Sequence, residues 1–197
     1  MSSANPQPGL PEWLAKATDH HRQGRFKQAA ENYRRHLAAH PDDAAVWTNL
    51  GVALRQVQSF RAAVACQRRA VELAPNNPVC LGNLGNVLCD LGELDEAIAR
   101  HQRAVELRPN EASPRHNLAV SLREAKRFKE SLEQLEQADR LGRGGSIELD
   151  RSICLLHLGE FEAGWKANER RWEAGQGQFP ASSVARWRGT PFPHGSL

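Results

Sequence analysis

Trp47-Thr48-Asn49-Leu50-Gly51-Val52-Ala53-Leu54 is the stretch on which the reading of this chain turns, because its key residues come back. Asn49-Leu50-Gly51 recurs as Asn83-Leu84-Gly85 and, weakened, as Asn117-Leu118-Ala119, the numbering advancing by 34 at each copy. The same offset relates Arg69-Ala70-Val71-Glu72-Leu73 to Arg103-Ala104-Val105-Glu106-Leu107, Pro75-Asn76 to Pro109-Asn110, and Leu54 to Leu88. A fixed period of this size marks stacked supersecondary units, each burying its apolar face on a neighbour.

Within a copy the apolar residues follow a helical period twice. Val46, Trp47, Leu50, Ala53, Leu54 and Val57 form one amphipathic run, Gln58-Ser59 interrupts it, and Phe60, Ala63, Val64, Cys66, Ala70, Val71 and Leu73 resume it. Pro75 stops the second helix and Pro78 opens the next. The third copy repeats this with Leu81, Leu84, Leu88 and Leu91, a turn at Gly92, then Leu94, Ala97, Ile98, Ala104, Val105 and Leu107. Gly51, Gly85, Ala119, Ala63, Ala97 and Ser131 are small where paired helices must approach to about 8–10 Å.

Trp47-x2-Leu50-Gly51-x2-Leu54, followed by Ala63, Ala70 and Pro75, resembles the tetratricopeptide repeat. The resemblance implies an all-α, right-handed superhelical solenoid of about five helix-turn-helix hairpins, with repeats at about 10–43, 44–77, 78–111, 112–145 and 146–173. The first repeat carries Lys16 where the second, third and fourth have Leu, as expected of an N-terminal cap with a wet outer face. In the fourth, Gly142-Arg143-Gly144-Gly145 replaces the Pro-Asn stop; in the fifth, the early arrival of Ala163 is read as a missing residue between the two helices. Residues 1–9 read as a disordered N-terminus, and 174–197 as a Pro/Gly-rich tail or linker.

A net charge of +3 from 26 basic and 23 acidic residues, dispersed along helix faces, gives no basic arm or stripe for nucleic acid. No stretch has the apolar length of a membrane span or of a signal peptide, which predicts a soluble cytoplasmic protein. Cys66, Cys80, Cys89 and Cys154 lack metal-ligand spacing and read as buried free thiols. His36 and His40 stand one turn apart but without a third ligand, His20 and His21 diverge, and His101 occupies a packing position. Glu93, Asp95 and Glu96 sit at a helix start, where negative charge complements the helix dipole. No nucleophile motif or phosphate loop is present, so neither catalysis nor a cofactor is expected of these residues.

In the family, the first helix of each repeat lines a groove, with positions 2, 5, 6, 9, 12 and 13 facing it. Asn49, Asn83 and Asn117 all take position six, with Asn86 beside the second. A carboxamide both donates and accepts, so such a row can pair with the backbone of an extended peptide. The row is similar to the asparagine ladder of O-linked N-acetylglucosamine transferases, although repeats one and five hold Ala15 and Arg151 there. Flanking residues Arg55, His116, Arg123 and Arg151, with Thr48, Gln56, Val79, Asp90 and Glu124, are the candidate specificity residues. A row that merely solvates the groove satisfies the same pattern. The two-carboxylate clamp of chaperone-binding repeats is disfavoured, since Leu14, Thr18, Val79 and Asn83 stand where it needs Lys and Arg.

Gly159, Gly164-Trp165, Arg170-Arg171-Trp172, Phe179-Pro180 and Arg186-Trp187-x-Gly189-x-Pro191 together resemble the junction of bacterial proteins that join these repeats to a heptosyltransferase-like glycosyltransferase domain. In them the catalytic domain follows the Trp-x-Gly-x-Pro stretch, here beyond Leu197. The resemblance implies a non-enzymatic recognition module with a protein or peptide partner. A free-standing adaptor, or a module that self-associates as a homo-oligomer with an empty groove, is the alternative.

Overall fold

The computed structural model describes residues 12–142 and 147–173, the last three of these by backbone alone. Among the described residues the chain is all helical, with ten helices: α1 (Glu12–Arg22), α2 (Phe26–Ala39), α3 (Ala44–Gln56), α4 (Phe60–Leu73), α5 (Pro78–Leu91), α6 (Leu94–Leu107), α7 (Ala112–Glu124), α8 (Phe128–Arg140), α9 (Glu148–His157) and α10 (Phe161–Glu173). They pair in sequence order as five antiparallel hairpins. The chain divides into two compact units, residues 1–109 and 110–197.

The turn inside each hairpin is built one way throughout. Gly24, Gln58, Gly92 and Lys126 all have positive φ (71°, 59°, 78° and 60°) and recur in phase with the repeat; Gly159 (φ 82°) comes one position early. After each, the next N–H reaches back five residues, as in Arg25 to His20, Ser59 to Leu54 and Glu93 to Leu88 at 2.9 Å. This is the Schellman closure, which satisfies the last carbonyls of a helix and needs a left-handed residue. Gln58 and Lys126 accept that conformation with a Cβ, at about 1 kcal/mol each.

Between hairpins, side chains open the next helix. Asp43 Oδ1 accepts from the Val46 N–H at 3.0 Å to cap α3, and Asn77 Oδ1 accepts from Val79 N–H at 2.9 Å to cap α5, whose first turn holds Pro78.

In the first unit, buried Leu50, Ala53, Leu54, Leu84, Val87 and Leu88 join Ala17, Tyr33 and Ala63 in one core. The glycine at position eight lets a long polar side chain cross beneath the first helix. Gln67 lies against Gly51 and donates from Nε2 to Thr48 C=O at 3.1 Å. His101, its counterpart in the next repeat, lies against Gly85 and reaches Gly82 C=O from Nε2 at 3.1 Å. A Cβ on Gly85 would stand 2.4 Å from that ring.

In the second unit Ala119, Leu135, Ile147 and Cys154 form the core with Phe128 and Leu132. Here Ala119 faces an apolar partner, and Ser131 Oγ donates to Ala119 C=O at 2.8 Å. The expectation for repeat five is corrected by one residue: Ala163 is exposed, and buried Gly164 makes the close approach, with the Leu156 side chain 2.8 Å from where its Cβ would lie. Gly164 stands one position short of a full repeat after Ser131, the same shortening seen at Gly159.

Candidate functional site

Alternation of burial along the first helices defines the open surface. In α3 the residues most open to solvent run along Ala45, Asn49, Val52 and Gln56; in α5 along Val79, Asn83, Asn86 and Asp90; in α7 along Ser113, Asn117, Val120 and Glu124. These are repeat positions 2, 6, 9 and 13 in every case, spaced i, i+4, i+7, i+11 and therefore on one stripe. The rest of α3 and α5 is mostly buried, because their other faces meet the partner helix and the neighbouring hairpin; in α7 the remaining residues divide between buried and half-buried.

Asn49 is exposed; Asn83, Asn86 and Asn117 are half-buried. Among the described residues, none of the four carboxamides has a hydrogen-bonding partner. Position five is less open than expected: Thr48 is buried, its hydroxyl donating to Ala44 C=O at 2.9 Å and lying 3.4 Å from Cys80 Sγ. It packs α3 on α5 and does not face a ligand.

The charged flanking residues are tied to one another. Arg55 holds Asp90 with Nε on Oδ2 and Nη2 on Oδ1 at 3.1 Å, bridging α3 to α5. That hydrogen bonding raises the Arg55 pKa against the opposing effect of burial. In the second unit His116 Nε2 lies 2.8 Å from Asp150 Oδ2, and Arg123 takes the other oxygen of Asp150 while also reaching Glu124 at 2.6 Å. Burial would lower the Arg123 pKa, but the hydrogen bond to Glu124 and the charge of Asp150 raise it. Arg151 is largely buried and held by Glu148 at 2.7 Å and Asp139 at 3.2 Å. Arg55, His116, Arg123 and Arg151 are thus each held by a carboxylate of the fold. Arg55, His116 and Arg123 each reach a carboxylate of the next repeat, whereas Arg151 pairs with Glu148 on its own helix and with Asp139 of the preceding repeat; the periodicity alone supplies none of these pairings.

Among the described residues no three His, Cys, Asp or Glu side chains gather as a metal site requires. Buried His36 instead sets Nε2 3.3 Å from Asp43 Oδ2, beside the cap of α3. His21 Nδ1 lies 3.2 Å from Tyr33 OH. Cys66, Cys80 and Cys154 are buried free thiols, whereas Cys89 is half-buried. No described helix is long and apolar enough to cross a membrane. Trp165 is 45% exposed on α10; Phe179 and Trp187, and the side chain of Trp172, lie outside the described residues.

Tetratricopeptide-repeat family profiles match residues 14–78 and 79–140, without a gap between them. The chain is a tetratricopeptide-repeat protein. Solved structures of tetratricopeptide-like fold agree: MamA residues 41-end from Desulfovibrio magneticus RS-1 superposes with a TM-score of 0.74 at 14% identity, covering 83% of this chain and 93% of that one. A Pseudomonas aeruginosa PilF structure superposes with a TM-score of 0.73 at 22% identity, covering 85% of this chain and 76% of that one. No curated protein matches in sequence. Tetratricopeptide repeats are protein-interaction scaffolds, and that coarse role carries over to this chain.

Proposed function

We propose that the chain is a non-enzymatic scaffold that holds an extended peptide segment along the open stripes of its first helices, as the recognition module of a bacterial glycosyltransferase. The observation that carries the groove reading is the set of unbonded carboxamides at Asn49, Asn83 and Asn86, which share the solvent-open stripe of α3 and α5. Buried polar groups in a fold are normally paired, and groups left unpaired at a surface are available to a partner. Each carboxamide offers a donor and an acceptor to peptide N–H and C=O, about 0.5–1.5 kcal/mol per bond. Three such residues give weak, sequence-tolerant capture once ordering costs are subtracted. Asn117 holds the equivalent place on α7 of the second unit.

The test is capture of an unstructured peptide by the chain and by an Asn49→Ala, Asn83→Ala variant, with Asn117→Ala made separately to learn whether the second unit takes part. Helicity should stay unchanged while capture is lost in the double variant; undiminished capture would mean that the row only solvates the surface. The transferase link rests on the Trp187-x-Gly189-x-Pro191 resemblance, and the encoding gene downstream of Leu197 tests it: a strand-rich continuation with a Gly-rich loop is expected. A second reading, self-association, is favoured by Phe161, 64% exposed on α10. Sedimentation velocity on Phe161→Ser decides it, since a monomeric wild-type chain at high concentration rules that reading out.

A further inference from the structure

Resting on the peptide-groove reading, we infer that the α3–α5 face selects an uncharged extended segment, and that Asp90 sets this selectivity by neutralising Arg55. Among Lys, Arg, Asp and Glu, each of the two helices carries a single residue: Arg55 on α3 and Asp90 on α5. These two are bonded to each other in the bidentate pair described above. The face therefore presents carboxamides at Asn49, Asn83 and Asn86 with no uncompensated charge from its own helices. The outer helices differ sharply: α4 carries Arg61, Arg68, Arg69 and Glu72, and α6 carries Asp95, Glu96, Arg100, Arg103 and Glu106.

Charge selects a partner through complementarity, and a paired guanidinium has little left to offer a carboxylate. An acidic segment laid on this face would have to compete with Asp90 for Arg55, and a basic one would compete with Arg55 for Asp90. A neutral segment loses nothing. Val79, 52% exposed one turn before Asn83, adds an apolar surface on the same stripe. The fitting partner is a segment of small, uncharged residues such as Ala, Ser, Thr and Gly, whose backbone stays accessible to the carboxamides. Binding of that kind is insensitive to salt, because no net charge is neutralised on association.

The experiment is fluorescence polarisation on the full chain with three labelled, unstructured peptides: one of Ala, Ser and Thr, one with Glu and one with Lys at alternate positions. The wild type should hold the neutral peptide tightest, with affinity moving less than about twofold between low and high salt. Asp90→Asn should strengthen the Glu peptide about three- to fivefold at low salt only, and Arg55→Gln should do the same for the Lys peptide. The double variant should return to the wild-type order. Tightest wild-type binding of a charged peptide, with strong salt dependence, would overturn the inference, as would unchanged selectivity in whichever single variant folds. Should the wild type bind none of the three peptides, the groove reading itself falls, a result separable from wrong selectivity.

Discussion

Replacing His101 by Gln should abolish an acid sensitivity written into the third hairpin. The ring is 1% exposed, packed against Gly85, and burial drives its pKa from 6.5 down to about 4 against the hydrogen bond to Gly82 C=O. Below pH 6.5 the unfolded chain takes up a proton that the folded chain refuses until about pH 4. Stability from this site is therefore complete above 6.5, falls as pH drops through that window, and levels off below it. A gap of that width corresponds to about 3 kcal/mol in full, of which about 2 kcal/mol is lost on going from about pH 7.5 to about pH 5. Gln67 occupies the same place in the second hairpin and makes the same bond to Thr48 C=O at 3.1 Å, so the fold already accommodates this amide. Urea unfolding of wild type and His101→Gln, followed by far-UV circular dichroism at both pH values, isolates the effect, because every other titrating group is common to both. The wild type should lose about 2 kcal/mol more than the variant. Equal losses would refute the claim that the buried ring stays neutral in the fold.

The other expectations follow from the same hairpins. Gly85→Ala should destabilise by about 1–3 kcal/mol through overpacking on the ring, and adding His101→Leu should recover much of it, as Ala119 with Leu135 shows in the second unit; a double-mutant cycle in thermal unfolding reads the coupling. Gln58→Gly and Lys126→Gly should each raise stability by up to about 1 kcal/mol, since both residues hold positive φ; a loss of melting temperature would count against the turn assignment. Asn77→Ala should cost about 1 kcal/mol by uncapping α5. Burial lifts the Cys66 thiol to about 11, so in the native chain it should react with a maleimide at least about a hundredfold more slowly than in urea.

How far the sequence could be read depends on whether a feature repeats in phase. Helices and turns recur at the period, so position in one copy transfers to the next: Gln58-Ser59 was legible as a turn because it interrupts the apolar run where Gly92 turns the following copy. What periodicity could not supply was the partner of a side chain. Arg55 reads as groove-facing by position, yet Asp90, 35 residues further along the chain, claims it; His116 and Asp150 stand 34 apart and are equally invisible to a pattern that scores each copy alone. Irregularity also hid the fifth hairpin's packing residue. One missing residue moved the close approach to Gly164, and Ala163, also small, stood in its way as a decoy. Of the glycosyltransferase resemblance, Phe179-Pro180 and Trp187-x-Gly189-x-Pro191 lie outside the described residues.

Pairing between successive repeats does more than anchor side chains. A solenoid stabilises each hairpin through its neighbours, so a contact across the repeat boundary contributes to the interface term on which the array depends. Arg55 to Asp90 links α3 to α5 directly, where Thr48 and Cys80 also meet. The link is partly exposed and contributes about 1 kcal/mol at most. Its larger consequence is electrostatic: an interface contact placed on the open face removes charge from the surface a partner would meet. The residue that ties the repeats together and the residue that would have dictated an acidic ligand are the same arginine, and the fold has committed it to the first role.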